Sequence, residues 1–128
     1  MDQEPQKNVI LCIEDDDDIR TFCLRALELA GYVCLHTEKP ADTIKTARNR
    51  AVDLVLLDLR LTEDDGWLIL KKLKEDPKTA GIPVIVFTAS YAISQRDRAL
   101  SMGAVEYLVK PLSAKTLKDA VTRVLSLK

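Results

Sequence analysis

The chain has 128 residues, 47% of them apolar and 30% charged, enough for one compact domain with a real core. Lys and Arg total 19 against 20 Asp and Glu, so the whole chain carries no basic footprint for nucleic acid. No apolar run approaches the ~20 residues that a membrane span needs, and the polar start MDQEPQKN has no signal-peptide pattern, so a soluble, cytoplasmic protein without membrane contact is expected.

In chain order, a polar leader (1–8) precedes the apolar run Val9 to Ile13, which stops abruptly at Glu14, Asp15, Asp16, Asp17 and Asp18. From Ile19 the apolar spacing becomes helical, with Phe22, Cys23, Ala26, Leu27 and Ala30 on one stripe, and Gly31 closes the helix. Tyr32 to Leu35 make a second short strand. Pro40 opens a second helix over Ala41 to Arg50, because proline is tolerated in a first helical turn.

The stretch Asp53 to Asp65, DLVLLDLRLTEDD, organises the rest. Leu54 to Leu57 form a continuous apolar run, the pattern of a strand covered on both faces in a parallel sheet, and it ends at Asp58. Asp65-Gly66 then turns the chain into a third helix that Pro77 stops, with Trp67 read as core beside Leu70 and Leu73. Val84 to Phe87 form a fourth strand ending in Thr88, Ala89 and Ser90. A helix over Ala92 to Ser101 follows, with Gly103 as its stop. Val105 to Val109 form a fifth strand ending in Lys110-Pro111. The last helix carries Ala114, Leu117, Val121, Val124 and Leu125 on one face, with Ser113 as its N-cap.

Five strands alternating with five helices predict an α/β fold, a parallel sheet with helices on both faces, as one domain spanning 1–128 with its core at 9–127. There is no internal repeat, low-complexity segment or linker. Cys12, Cys23 and Cys34 are odd in number, never in a CxxC pair and set among apolar residues, which predicts three reduced core thiols. His36 has no partner histidine at ligand spacing and is read as structural or incidental.

In an open parallel sheet ligands bind at the carboxyl ends of the strands. Those ends carry Glu14 and Asp15, Asp58, Thr88 and Lys110. Each has an ordinary explanation: an acidic run favours a helix dipole, a threonine satisfies the backbone, and a lysine is solvated. Together, at four of five strand ends, they predict a cleft with three carboxylates, a hydroxyl and an ammonium. Clustered carboxylates need a counter-charge, and a hard cation such as Mg2+ supplies it while keeping waters that a phosphate can replace. A carboxylate nucleophile beside a divalent cation, a lysine and a hydroxyl suits phosphoryl transfer to aspartate.

On VILCIEDD, LLDLRLTEDDG, VIVFTAS and EYLVKP, the chain resembles a response regulator receiver domain of two-component signalling, over about Val9 to Leu127. The resemblance implies a CheY-like, flavodoxin-like doubly wound sheet of order 2-1-3-4-5. It makes Asp58 the phosphoacceptor, Thr88 the switch hydroxyl, Tyr107 the switch aromatic and Lys110 the site lysine, with a cis peptide before Pro111. It places Mg2+, or Mn2+ in its stead, on Asp15, Asp58 and the backbone carbonyl of Arg60, with Glu14 acting through water. It implies a histidine kinase or histidine phosphotransfer protein as donor, and a switched surface on helix 4, strand 5 and helix 5. The implied protein is a monomer when unphosphorylated, with no nucleic acid bound through this domain, no effector domain in this chain, and self-directed phosphotransfer and autodephosphorylation in place of enzymatic turnover.

The loop after Asp58 departs from the family pattern: Thr62 stands where a proline is common, followed by Glu63 and Asp64, and Arg60 is long and cationic. A haloacid dehalogenase-type phosphatase would need an aspartate two residues after the nucleophile, where Arg60 stands. The remaining alternative is a receiver-like docking module that works without phosphorylation.

Overall fold

The computed structural model describes residues 7–37, 39–59, 65–90 and 92–127. Its elements, in order, are β1 (Val9–Ile13), α1 (Asp17–Leu29), β2 (Val33–Thr37), α2 (Pro40–Asn49), β3 (Leu54–Leu57), α3 (Asp65–Glu75), β4 (Val84–Thr88), α4 (Ile93–Ser101), β5 (Glu106–Val109) and α5 (Ala114–Ser126). All strand pairs are parallel, and the sheet order is β2-β1-β3-β4-β5.

Strand side chains alternate between two apolar layers. Leu11, Ile13, Val55, Leu57, Val84 and Val86 pack with Ile69, Leu70 and Leu73 of α3, Ala47 of α2 and Ala99 of α4. Ile10, Cys12, Leu54, Leu56, Ile85 and Phe87 pack with Cys23 and Leu27 of α1 and with Leu117, Val121 and Val124 of α5. A sheet covered on both faces explains why β1, β3 and β4 read as unbroken apolar runs.

Local chemistry moves several boundaries. Helix α1 begins at Asp17, two residues before the expected Ile19, because the Asp16 side chain accepts from Ile19 N and caps the helix, leaving Asp17 and Asp18 in its first turn. Phe22 leaves the predicted stripe: it is 40% exposed, since Cys23 and Leu27 take the centre of the buried face and Phe22 lies on its flank. Strand β2 runs Val33–Thr37, later than Tyr32 to Leu35, set by pairing of Val9 with Val33 through Ile13 with Thr37. Trp67 is half-buried against the core, with the Arg98 guanidinium 4.1 Å from its ring centroid. Burial pushes the Cys12 thiol well up, Cys23 to about 12 and Cys34 to about 11, so all three stay protonated.

Candidate phosphoacceptor site

Asp58 extends the sheet by one residue: its N–H donates to Ile13 O at 3.0 Å, which ties the end of β3 to the end of β1 just before Glu14. Lys110 is tied to β4 in the same way, its N–H donating to Thr88 O at 2.8 Å. Backbone pairing at the sheet's carboxyl edge thus gathers residues far apart in the chain.

The side chains complete the arrangement. Lys110 Nζ donates to Glu14 Oε1 at 2.5 Å and to Asp58 Oδ2 at 3.0 Å. Glu14 is 0% exposed, Asp58 3% and Thr88 0%, whereas Asp15 is exposed. Glu14 and Asp58 border an open cleft of about 280 Å³ that Asp15, Ala89 and Lys110 also line. The Lys110–Pro111 peptide is cis. Tyr107, half-buried, donates from Oη to Ser90 O at 3.1 Å, and the Ser90 hydroxyl accepts from Ala92 N, so the aromatic is bound to the loop after β4. Arg60, with Thr62, Glu63 and Asp64, lies outside the described residues.

The electrostatics are unbalanced. Burial first, then the neighbouring Asp58 carboxylate, pushes Glu14 up to about 7 despite Lys110. Burial pulls the Lys110 ammonium down, but Glu14 and Asp58 outweigh it and hold it above its ordinary value. Among the described residues, Glu14 Oε2 and Thr88 Oγ1 are the two buried side-chain polar atoms without a hydrogen-bond partner. Glu14, Asp15 and Asp58 each offer an oxygen within 4.8 Å of the others. A shared proton or a cation would relieve such a cluster, and an all-oxygen donor set of this charge fits a hard divalent ion such as Mg2+.

Two residues outside the predicted set shape the cleft. Arg20 Nη1 donates to Glu14 O at 3.2 Å, satisfying a carbonyl beyond the strand ladder, and its guanidinium also contacts Asp17. A Cβ on Gly66 would stand 2.6 Å from Asp58 O and 2.5 Å from Leu59 Cα, so only glycine lets α3 begin this close to the Asp58 backbone. Asp65-Gly66 reads as a turn in sequence, which hides this packing, and nothing in the sequence marks Arg20.

A family model described as "Response regulator receiver domain" matches residues 10–122. The chain belongs to the response regulator receiver domain family. Receiver domains are switches of two-component signalling, and this one has the sheet order expected of them. The phosphate regulon transcriptional regulatory protein PhoB of Pseudomonas aeruginosa is 35% identical over 116 residues, 91% of this chain and 51% of that protein. The transcriptional regulatory protein VxrB of Vibrio cholerae is 38% identical over 111 residues, 87% of this chain and 43% of that protein. The chain therefore spans about half the length of the curated relatives it matches. Among solved structures, a two-component response regulator from Clostridium difficile superposes with a TM-score of 0.85 at 27% identity, covering 94% of this chain and 97% of that one. The receiver domain of a sensor histidine kinase from Pseudomonas aeruginosa, described with a magnesium ion coordinated in its active site cleft, gives 0.85 at 24% identity, covering 94% and 99%. No described helix is long and apolar enough to cross a membrane.

Proposed function

We propose that Asp58 accepts a phosphoryl group from a phosphohistidine on a histidine kinase or histidine phosphotransfer protein, in a single receiver unit acting in the cytoplasm. The observation that carries this reading is the placement of a nearly buried Asp58 carboxylate beside Lys110, Glu14 and Asp15, with the buried Thr88 at the end of β4, where its carbonyl accepts from Lys110 N. An Asp58 oxygen forms the new bond to phosphorus as the phosphorus–nitrogen bond of the donor breaks, and the imidazole leaves with that electron pair. Lys110 neutralises charge on the transferred group's equatorial oxygens. Asp15 and Asp58, with the Arg60 carbonyl and Glu14 through water, would hold Mg2+. The ion, or Mn2+ in its place, supplies charge neutralisation at the same oxygens.

The acyl phosphate then becomes the acceptor that the buried Thr88 hydroxyl lacks. Thr88 turns toward it, the loop carrying Ala89 and Ser90 follows, and the bond from Tyr107 Oη to Ser90 O is exchanged. The result is a population shift at the surface of α4, β5 and α5, read by a downstream protein. The unphosphorylated chain is a monomer, and its only chemistry is self-directed transfer and loss of the phosphoryl group.

The test is incubation with Mg2+ and phosphoramidate, followed by mass spectrometry and peptide mapping. One phosphoryl group should appear on Asp58, fail to appear without the metal, and be absent from Asp58→Asn. An unlabelled native protein would leave the phosphorylation-independent docking module as the reading.

A further inference from the structure

Lys110 stands between two cavities of opposite character. One is the acidic cleft. The other, about 320 Å³, is walled by Ile19, Phe22, Phe87, Pro111 and Leu112, with Lys110 and Ile19 lining both. An ammonium carries three hydrogens and accepts none, so each side that loses water needs a partner. Glu14 Oε1 and Asp58 Oδ2 serve the cleft side. On the other side Nζ lies over the ring of Phe87, 4.6 Å from its centroid, within the range where the negative face of a ring attracts a cation. Phe87 is fully buried in β4, immediately before Thr88, and its side chain points into the α1 and α5 layer.

From this geometry we infer that Phe87 is a positioning residue for Lys110. Its ring holds the ammonium at the cleft through a contact independent of the carboxylates. That independence matters because Glu14 and Asp58 are shared partners. A divalent cation in the cleft competes for their oxygens and repels Lys110, whereas the ring face stays with the ammonium. Lys110 therefore remains aimed at the oxygens of an arriving phosphoryl group when its hold on the carboxylates is weakest. The inference rests on the phosphoacceptor reading, and it gives a position that looks like ordinary apolar strand a role that leucine or valine of similar bulk could not fill.

Ring electronics separate this role from packing. Mono-, di- and trifluorophenylalanine placed at position 87 of the full chain keep the ring's shape while draining its negative face. Phe87→Leu serves as the aliphatic reference. Two quantities are read: the rate of labelling by phosphoramidate at saturating Mg2+, and the nitrogen resonance of Lys110 Nζ without metal or donor. The rate should fall stepwise with fluorination, by about threefold to tenfold at the trifluoro ring. The resonance should move in the same order, with the thermal midpoint constant along the series. A rate indifferent to fluorination overturns the inference, even if Phe87→Leu is slow, because that pattern is packing. If the native protein takes no label, the phosphoacceptor reading fails on its own. The resonance then decides the contact, and one that does not follow fluorination overturns it.

Discussion

Thr79 and Thr88 are the same residue type and both 0% exposed, one in the turn between α3 and β4 and the other the last residue of β4. Thr79 donates to Leu73 O at 2.6 Å, closing the turn after α3, while Thr88 Oγ1 has no partner among the described residues. Thr43 sides with Thr79: it donates to Lys39 O at 2.9 Å and shares a 2.7 Å contact with Thr37 Oγ1. Glu14 sides with Thr88, one of its oxygens on Lys110 and the other bare. Buried polar groups are normally satisfied. Where the fold needs a hydroxyl for its own geometry it supplies the acceptor, as for Thr79 and Thr43; at Thr88 and Glu14 it does not. Among the described residues, both buried side-chain polar atoms without a partner lie at the carboxyl edge of the sheet.

The largest expected effect sharpens that contrast at Glu14. Glu14→Gln should weaken Mg2+ binding by about 10- to 100-fold in calorimetric titration, as loss of an outer-shell metal partner does. It should also leave the metal-free protein close to native stability, since it removes a carboxylate that burial and Asp58 disfavour while the amide oxygen can still accept from Lys110. Unaltered Mg2+ affinity would mean that Glu14's bare oxygen has nothing to do with a cation.

Next comes the satisfied hydroxyl. Thr79→Val strands the Leu73 carbonyl, and urea unfolding should show a loss of about 1–3 kcal/mol. A cost near zero would make Thr79 no different from the bare group it is set against.

The third prediction concerns pH in the metal-free protein. Glu14 is raised from 4.5 to about 7. Across that window the folded state keeps a proton that the unfolded state has released. Its contribution is therefore full below about 4.5 and is lost as pH rises through about 7. Melting temperature should decline over this range more in the native protein than in Glu14→Gln, and saturating Mg2+ should remove the difference. Parallel curves for the two proteins would contradict the raised carboxyl.

The smallest expected effect is at Thr88. Thr88→Val replaces an unsatisfied hydroxyl with a methyl, so the unfolding free energy should stay within about 0.5 kcal/mol of native or rise. Release of Tyr107 upon phosphorylation, followed by its ring resonances, should be lost. A destabilisation equal to that of Thr79→Val would erase the distinction.

Much of the site was legible. An apolar run that ends in Asp58, another in Glu14 and Asp15, and a third in Thr88 can be read directly, because strands buried on both faces leave a plain signature where they reach water. The N-cap at Ser113 was equally plain, its hydroxyl accepting from Thr116 N at 3.0 Å. Which of five consecutive acids turns inward was not legible: Glu14 is fully buried and Asp15 to Asp18 are exposed, although all five are acids in one run. Nor could spacing show that Phe22 faces outward, that Gly66 lies on the Asp58 carbonyl, or that Phe87 faces an ammonium. Each depends on what another element brings alongside.

The order of amino acids alone determined the alternation of strands and helices, the edge where the polar groups collect and the family to which the chain belongs, because these follow from local periodicity and short motifs. Only the tertiary structure decided which groups touch. Lys110 meets Glu14 across 96 residues and Asp58 across 52, contacts created by parallel pairing of β1, β3, β4 and β5 through long helical crossovers. Burial, which lifts the Glu14 carboxyl and strips Thr88 of water, is a property of the two packed layers together, and no single segment carries it.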